Sequence, residues 1–130
     1  MEKFRTLDPC TLLCPVPAVM VSCRGIKEER PNIITIAWAG TVNSRPPMVS
    51  VSIKKERYSH ALISDSGEFV VNLVDEKHCK ALDFCGVRSG RDMDKFARTG
   101  LHAIPAMGMD YAPAIAECPA NLACKLRHVL

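Results

Sequence analysis

A short basic turn carries the residues of this chain that are best suited to bind an anion. Lys54, Lys55 and Arg57 place three cations within four positions, and Ser59 follows directly behind them. An apolar strand-like run precedes the turn and a helix-like run follows it. A helix N-terminus and basic side chains both favour an anion, and arginine can form paired hydrogen bonds with a phosphate. The turn therefore predicts a phosphate site.

A second segment suited to ligand binding lies just before this turn. Residues 38–47, WAGTVNSRPP, are rich in small side chains and end in a double proline. Small side chains, and Gly40 above all, allow a flat ligand to lie against exposed main-chain N–H groups. We therefore interpret this segment as a ligand-facing loop. Together with the basic turn, it indicates a phosphorylated aromatic ligand.

Two predicted strands hold the loop and the basic turn in position. Residues 32–37, NIITIA, are mostly β-branched and apolar, which is typical of a largely buried strand. Residues 48–53, MVSVSI, form the second strand, in which Ser50 and Ser52 share one face because side chains alternate. The two candidate ligand-binding segments thus lie at the ends of neighbouring strands.

The remaining elements are short, and they indicate a mainly β, antiparallel barrel. No G-x-G-x-x-G sequence opens a helix, so a Rossmann fold has no support. Asp75 is the expected N-cap of the second helix. The sequence predicts further strands over 15–23, 68–74, 101–104, 114–118 and 121–126, helices over 58–66 and 76–85, and a long ordered loop over 86–100 with a helical turn near 94–97.

Composition limits the classes of protein to which the chain can belong. At 130 residues it is one domain by length. A net charge of only +3 and an aromatic content of 5% argue against a nucleic-acid partner. No apolar run approaches the roughly 18 residues that span a bilayer, and the first ten residues, MEKFRTLDPC, lack the apolar core of a signal peptide. We expect a cytoplasmic protein with no membrane partner.

The seven cysteines and four histidines show no metal-ligand spacing, so no metal site is assigned. An odd cysteine count without a secretory signal argues against a disulfide framework. We expect reduced cysteines that pack as small core hydrophobes. His102, between apolar residues, is expected to be half-buried. Asp65 and Glu68 are interpreted as turn or surface residues, not as paired catalytic acids.

Three segments of the sequence resemble one known family. They are residues 32–59 (apart from Arg45), 67–73 with the sequence GEFVVNL, and 89–96 with the sequence SGRDMDKF. They resemble the flavoredoxin branch of the flavin reductase-like, FMN-binding split-barrel family, and the resemblance runs from about residue 15 to the end of the chain. It implies one domain over residues 1–130, an antiparallel split β-barrel of Greek-key type with short helices.

The same resemblance implies a cofactor, FMN, bound near the interface of a homodimer. Trp38 would form a wall of the pocket or pack in the core. No residue is expected to act as a catalytic acid or base, because the nicotinamide delivers hydride directly to the flavin. The implied contacts are the main chain of Ala39, Gly40, Thr41 and Val42 at the flavin ring, Ser52, Lys54, Lys55, Arg57 and Ser59 at the phosphate, and Ser89 and Lys95 from the later loop.

The implied activity is that of an NAD(P)H-dependent, flavin reductase-like oxidoreductase. It would pass electrons between a nicotinamide, the flavin and an acceptor, with a redox protein as the other possible donor or acceptor. Two alternatives stay open: a non-catalytic flavin-binding or assembly protein, and a thiol-rich metal or redox-sensing protein. Family members usually continue for several strands beyond the point equivalent to Leu130. We therefore expect a C-terminally short chain whose unpaired sheet edge favours self-association.

Overall fold

The computed structural model describes residues 3–130, and in this part of the chain the fold is mainly β, as the sequence predicts. No helix among these residues is long and apolar enough to cross a membrane. The strands are β1 (Val19–Cys23), β2 (Asn32–Ile36), β3 (Ala39–Ser44), β4 (Pro47–Val51), β5 (Glu68–Leu73), β6 (Ala103–Pro105), β7 (Pro113–Ile115) and β8 (Ala120–Lys125); the helices are α1 (Tyr58–Ser66), α2 (Cys79–Val87) and α3 (Lys95–Thr99), with a 3₁₀ turn over Glu76–His78.

A four-stranded antiparallel sheet in the order β2-β1-β5-β8 forms the centre of the fold. β1 is buried along its whole length because it pairs on both sides: Val21 lies opposite Ile34 of β2 and Val71 of β5. Side chains alternate along a strand. Val21 therefore packs in a cluster with residues of α1, while Met20 packs in another with residues of α2 and α3.

Residues 38–47, interpreted from the sequence as a loop, form most of a hairpin. β3 pairs with β4, and the register shifts between Thr41 and Asn43. Val49 and Val51 of β4 pack against the core, while most β3 side chains are exposed. The loop prediction is wrong because small and polar residues also suit an exposed, bulged strand whose main chain is paired with its neighbour.

The observed helices match the sequence predictions more closely than the hairpin does. α1 has the predicted bounds, and it ends at Gly67, which has φ of 70° and donates its N–H to the Ile63 carbonyl at 2.8 Å. The second predicted helix begins instead as a 3₁₀ turn. Asp75 directly precedes that turn, but its side chain accepts no hydrogen bond from a main-chain N–H of the turn. Its carboxylate instead lies 2.6 Å from His78 Nδ1. The predicted capping role of Asp75 is therefore wrong.

Glu68 is a buried carboxylate, which corrects its interpretation as a turn or surface residue. Its side chain accepts hydrogen bonds from the main-chain N–H groups of Asp110, Tyr111 and Ala112, and Lys125 Nζ lies 2.7 Å away. Burial alone would raise the pKa of Glu68, but these donors together lower it to about 2. Glu68 thus ties β5 to β8 and to the 110–112 segment.

The expectation that the cysteines are core hydrophobes holds for only part of the set. All seven are free; three are buried, one is partly buried, and Cys10, Cys14 and Cys79 are exposed. The expectation for His102 is also wrong. Its side chain is 76% exposed and its Nδ1 lies 2.6 Å from a Glu117 carboxylate oxygen, a polar partner that the apolar sequence neighbours did not indicate.

Candidate functional site

A cavity of about 170 Å³ lies where β2 and α1 begin and the 86–95 segment passes beside them. Four predicted site residues meet there, although they come from two separate stretches of the sequence. They are Arg57, Ser59, Ser89 and Lys95. The rest of the lining is Asn32, Ile34, Glu56, Tyr58, Gly86, Arg88, Gly90 and Arg91.

The floor of this cavity is polar although it is buried. Asn32 is 3% exposed and Ser59 is 1% exposed, and Asn32 Nδ2 donates to Ser59 Oγ at 2.9 Å. Polar groups are buried at a large cost unless they are hydrogen-bonded. This hydrogen bond satisfies only part of the polar groups of the pair. The Asn32 side-chain oxygen and the Ser59 hydroxyl can each still form a hydrogen bond with a ligand.

Lys95 adds a buried cation to the lining of the cavity. Its side chain is 2% exposed, and Nζ donates to the carbonyl oxygens of Ile33 at 2.7 Å and Cys85 at 2.8 Å. Burial lowers the pKa of Lys95, because the charged form loses its hydration. An ammonium has three donors, and among the described residues two of them are used by these main-chain carbonyls.

The 88–91 segment forms a wall of the cavity and is held by contacts at Gly90 and Arg91. A Cβ atom on Gly90 would lie 2.2 Å from Asn32 Oδ1, so only glycine allows the main chain to approach the floor this closely. Arg30 donates to the Gly90 carbonyl at 2.7 Å, and Arg91 donates to the Glu56 carbonyl at 3.0 Å. These contacts connect the wall to the basic turn.

The rim of the cavity presents two cations that form no ion pair within residues 3–130. Arg57 and Arg88 are exposed and line the cavity. Among residues 3–130, neither guanidinium donates a hydrogen bond, and the three ion pairs there involve other residues. Unpaired guanidinium groups over a buried polar floor are well suited to bind a phosphate or carboxylate.

The other predicted phosphate residues lie outside the cavity lining. Lys54 and Lys55 are exposed on the turn, and Ser52 is exposed at the end of β4, where its N–H donates to the Trp38 carbonyl at 2.9 Å. The adjacent hairpin carries the residues predicted for the flavin ring, Trp38 and Ala39–Val42. Trp38 is 51% exposed, so the alternative that it packs in the core is wrong. Its role at a ring stays a prediction.

Gly40 lies in open space on the hairpin. A Cβ atom there would meet no protein atom within 4 Å. Its φ is not positive: the glycines with positive φ among the described residues are Gly67, Gly100 and Gly108. Nothing in the fold therefore demands glycine at this position, and any requirement for a missing side chain would come from a ligand.

Sequence reasoning missed Asn32, Gly90, Arg88 and Arg91. Asn32 gave a signal, since it is a polar residue that opens an otherwise apolar strand. Gly90 lies within the Ser-Gly-Arg part of the 89–96 segment, but its contact with Asn32 joins positions far apart in the chain. No local pattern distinguished Arg88 and Arg91 from ordinary surface arginines.

Burial favours the protonated form of the two thiols near the floor. Burial raises the pKa of Cys23 to about 11, and a hydrogen bond with Ser59 and the nearby Lys95 charge offset only part of this effect. Burial likewise raises the pKa of Cys85 to about 11. The thiolate is the reactive form of cysteine. The thiol-based alternative therefore gains no support from the two cysteines at the site.

The fold is an antiparallel β domain with a cavity beside its central sheet, and the cavity lining includes several cationic side chains. Comparison with known protein families identifies the class of domain: residues 12–130 match the flavin reductase like domain. The chain belongs to this family, as the resemblance implied. The structural matches described next confirm the predicted split-barrel fold class.

Two solved structures and one curated relative show the extent of the similarity. Flavoredoxin of Desulfovibrio vulgaris (Miyazaki F) is 35% identical, with a TM-score of 0.91 over 100% of this chain and 69% of that chain. Flavoredoxin from Methanosarcina acetivorans is 28% identical, with a TM-score of 0.87 over 100% and 67%. An uncharacterized Archaeoglobus fulgidus protein is 33% identical over 75% of this chain and 55% of its own length. The chain spans about half the length of the curated relatives it matches.

Proposed function

We propose that this chain binds FMN and acts as a flavoredoxin-like oxidoreductase, passing electrons between NAD(P)H, the flavin and an acceptor. One observation carries the proposal. A single cavity joins the buried Asn32–Ser59 pair and Lys95 to the unpaired guanidinium of Arg57. The similarity to an FMN-binding domain of a flavin reductase-like enzyme from Shewanella baltica, 29% identical, supports the same ligand.

The residues present fit both ends of FMN. A phosphate carries about −1.5 to −2 charge at neutral pH. The positive charges of Arg57, which forms no ion pair among residues 3–130, and of Lys95 complement this charge. The flat ring needs open space beside the main chain, and no described atom outside residues 39–41 lies within 4 Å of the place that a Cβ atom on Gly40 would take. The cavity and the hairpin thus supply the two kinds of surface that one such ligand requires.

The chain's own residues bind and orient the cofactor. Arg57 and Ser59 hold the phosphate, and Lys95 offers its remaining N–H group from the floor. Those main-chain N–H groups of residues 39–42 that do not pair with β4 would face the polar edge of the ring, and Trp38 would cover it. When bound, FMN supplies the hydride and single-electron chemistry. No protein acid or base is required for that transfer.

We further propose a homodimer with the flavin near the subunit interface, in a cytoplasmic setting. Two features support self-association. Trp38 and Val42 are 51% and 62% exposed on one hairpin, and β8 ends the central sheet with one side unpaired among the described residues. Exposed apolar side chains and free strand edges both favour pairing with another chain.

An anaerobic spectrum tests the proposed activity. The purified chain is loaded with FMN, freed of excess cofactor, and titrated separately with NADH and NADPH. We expect flavin absorbance bands that bleach with at least one nicotinamide and return when an electron acceptor is added. Bands that persist with both nucleotides would refute the nicotinamide-dependent activity and favour the non-catalytic flavin-binding alternative. A colourless protein would refute FMN binding itself.

A further inference from the structure

Two arginines outside the phosphate turn share one aromatic ring. The Cζ atoms of Arg88 and Arg98 lie 5.6 Å and 5.8 Å from the centre of the Phe84 ring. Both arginines are exposed. Within residues 3–130, neither guanidinium donates a hydrogen bond or forms an ion pair. The ring therefore holds two cations whose N–H groups have no acceptor among the described residues.

This arrangement prepares the two arginines to bind an anion. Contact between a guanidinium and an aromatic face restricts the side chain but leaves its N–H edge free. Restricting a side chain before binding reduces the entropy lost on binding. Asp83 and Asp92 are near in sequence, but neither lies within 4 Å of an arginine nitrogen. An external anion is thus the partner that this pair lacks.

The pair lies beside the proposed site of the flavin phosphate. Arg88 lines the same cavity as Arg57 and Ser59, and Phe84 connects Arg88 to Arg98 on α3. A hydride donor must stack its nicotinamide on the flavin ring at close range. The nicotinamide–ribose–phosphate and the ring–ribityl–phosphate are comparable in length. If the two run parallel, their phosphates emerge side by side.

We infer that Arg88 and Arg98 bind the pyrophosphate of the nicotinamide dinucleotide that reduces the flavin. The inference rests on the proposed function, because it requires FMN in the adjacent cavity. The pyrophosphate would add negative charge next to the flavin phosphate, and Arg88 and Arg98 would supply cations to match it. Arginine forms paired hydrogen bonds with phosphate oxygens, which the free edges at Phe84 allow.

The test compares substitutions that remove equal charge from exposed positions. Arg98→Gln is the main variant, since Arg98 does not line the cavity, and Arg88→Gln/Arg98→Gln extends it. Lys80→Gln is the matched control, because Lys80 is exposed on α2 and is not one of the two cations placed over the Phe84 ring. Calorimetry with FMN-loaded protein measures the binding of NAD⁺ and NADP⁺. FMN affinity is measured separately by titration of the apo protein.

We expect Arg98→Gln to weaken nicotinamide binding about fivefold, and the double variant to weaken it by about tenfold or more. Arg98→Gln should change FMN affinity less than about twofold, and Lys80→Gln should behave as wild type. Unchanged nicotinamide affinity in the double variant would overturn the inference. So would a wild type that holds FMN but binds neither nucleotide.

A poly-L-glutamate peptide provides a competing arm. If Arg98→Gln weakens binding of the peptide but not of NADP⁺, the surface belongs to an acidic protein partner and the inference is wrong. Failure of the proposed function shows differently, as a wild-type protein that takes up no FMN in the apo titration. The two failures are therefore distinguishable.

Discussion

At the scale of single residues, the basic turn divides into side chains that reach the cavity and side chains that do not. Arg57 and Ser59 line it, whereas Lys54 and Lys55 are exposed outside it. The sequence could predict the turn, because cations at a strand–helix junction form a local pattern. It could not predict which of them points inward, because that depends on contact with the distant 88–91 segment.

Arg57→Ala should weaken FMN binding by about tenfold or more, since a hydrogen bond to a charged group contributes roughly 1.5–3 kcal/mol. Binding of riboflavin, which lacks the phosphate, should change much less. Fluorescence titration of the apo protein with each flavin measures both affinities. Lys55→Ala is the matched control, because Lys55 is exposed and lies outside the cavity lining.

Two outcomes would contradict the assignment of Arg57. Equal losses for FMN and riboflavin would remove its phosphate role. A larger loss of FMN affinity for Lys55→Ala than for Arg57→Ala would place the phosphate outside the cavity, on the exposed side of the turn.

At the scale of elements, the β3–β4 hairpin shows why composition alone was misleading. Its small residues suggested a loop, yet Ala39 lies opposite Val51 and Gly40 opposite Ser50 in an antiparallel ladder whose register shifts only after Thr41. Main-chain pairing with β4 decides the structure, because these side chains contribute little packing of their own. The wrong loop assignment does not affect the prediction that a ligand can approach this segment. A Cβ atom placed on Gly40 would have no described atom within 4 Å outside the neighbouring residues.

Gly40→Val should abolish flavin binding while the fold survives. A branched side chain would occupy the open space where the ring is proposed to lie, but φ at Gly40 is not positive and no protein atom lies within 4 Å of the new Cβ. Valine also suits a strand. Flavin retention and thermal melting are measured against the apo wild type, because bound flavin itself stabilises the folded state.

Ser44→Val is the matched control for that experiment. It adds a similar side chain to the same strand, outside residues 39–42, and should keep wild-type flavin content. A Gly40→Val protein that retains flavin as wild type does would place the ring away from the hairpin and make the ring assignment wrong.

The buried carboxylate of Glu68 connects β5, β8 and the 110–112 segment. The sequence could not indicate these contacts, because the partner residues lie 42 to 57 positions away along the chain. The folded-state pKa of about 2 lies below the ordinary value of 4.5. The ionised form therefore stabilises the fold above pH 4.5, and this stabilisation is lost as the pH falls towards 2.

Glu68→Gln should lower the free energy of unfolding at pH 7 by about 2 kcal/mol or more, since it weakens several charge-assisted hydrogen bonds. It should also flatten the loss of stability between about pH 5 and pH 2. Urea unfolding across this range measures both effects, with Glu28→Gln at an exposed position as the control. A variant whose pH profile parallels wild type would contradict the assigned pKa.

At the scale of the whole molecule, the antiparallel β class and the helix α1 were predictable because each rests on local patterns. The sheet order β2-β1-β5-β8 was not, since it depends on pairings such as Glu68 with Lys125. The cavity is likewise a property of the assembled fold. The close approach of Gly90 to Asn32 brings the 86–95 segment next to the basic turn, so that Arg57 and Ser59 line the same cavity as Ser89 and Lys95.

The FMN-loaded chain should be a homodimer at micromolar concentration. The exposed apolar side chains of Trp38 and Val42 and the unpaired side of β8 motivate this expectation. Light scattering coupled to size exclusion gives the mass, while absorbance of the same peak reports its flavin. A monodisperse monomer that carries FMN would contradict dimerisation without affecting the assignment of the cavity.

Titration of the apo protein with FMN and with riboflavin tests the central claim most directly, because the two ligands differ only in the phosphate that the cavity is proposed to hold. We expect saturation at one FMN per chain and an affinity for FMN at least about tenfold higher than for riboflavin, which corresponds to ~1.4 kcal/mol. Raising the salt concentration should narrow the difference by screening the rim arginine. Equal affinities for the two flavins, or no saturable binding of FMN, would contradict the proposed site.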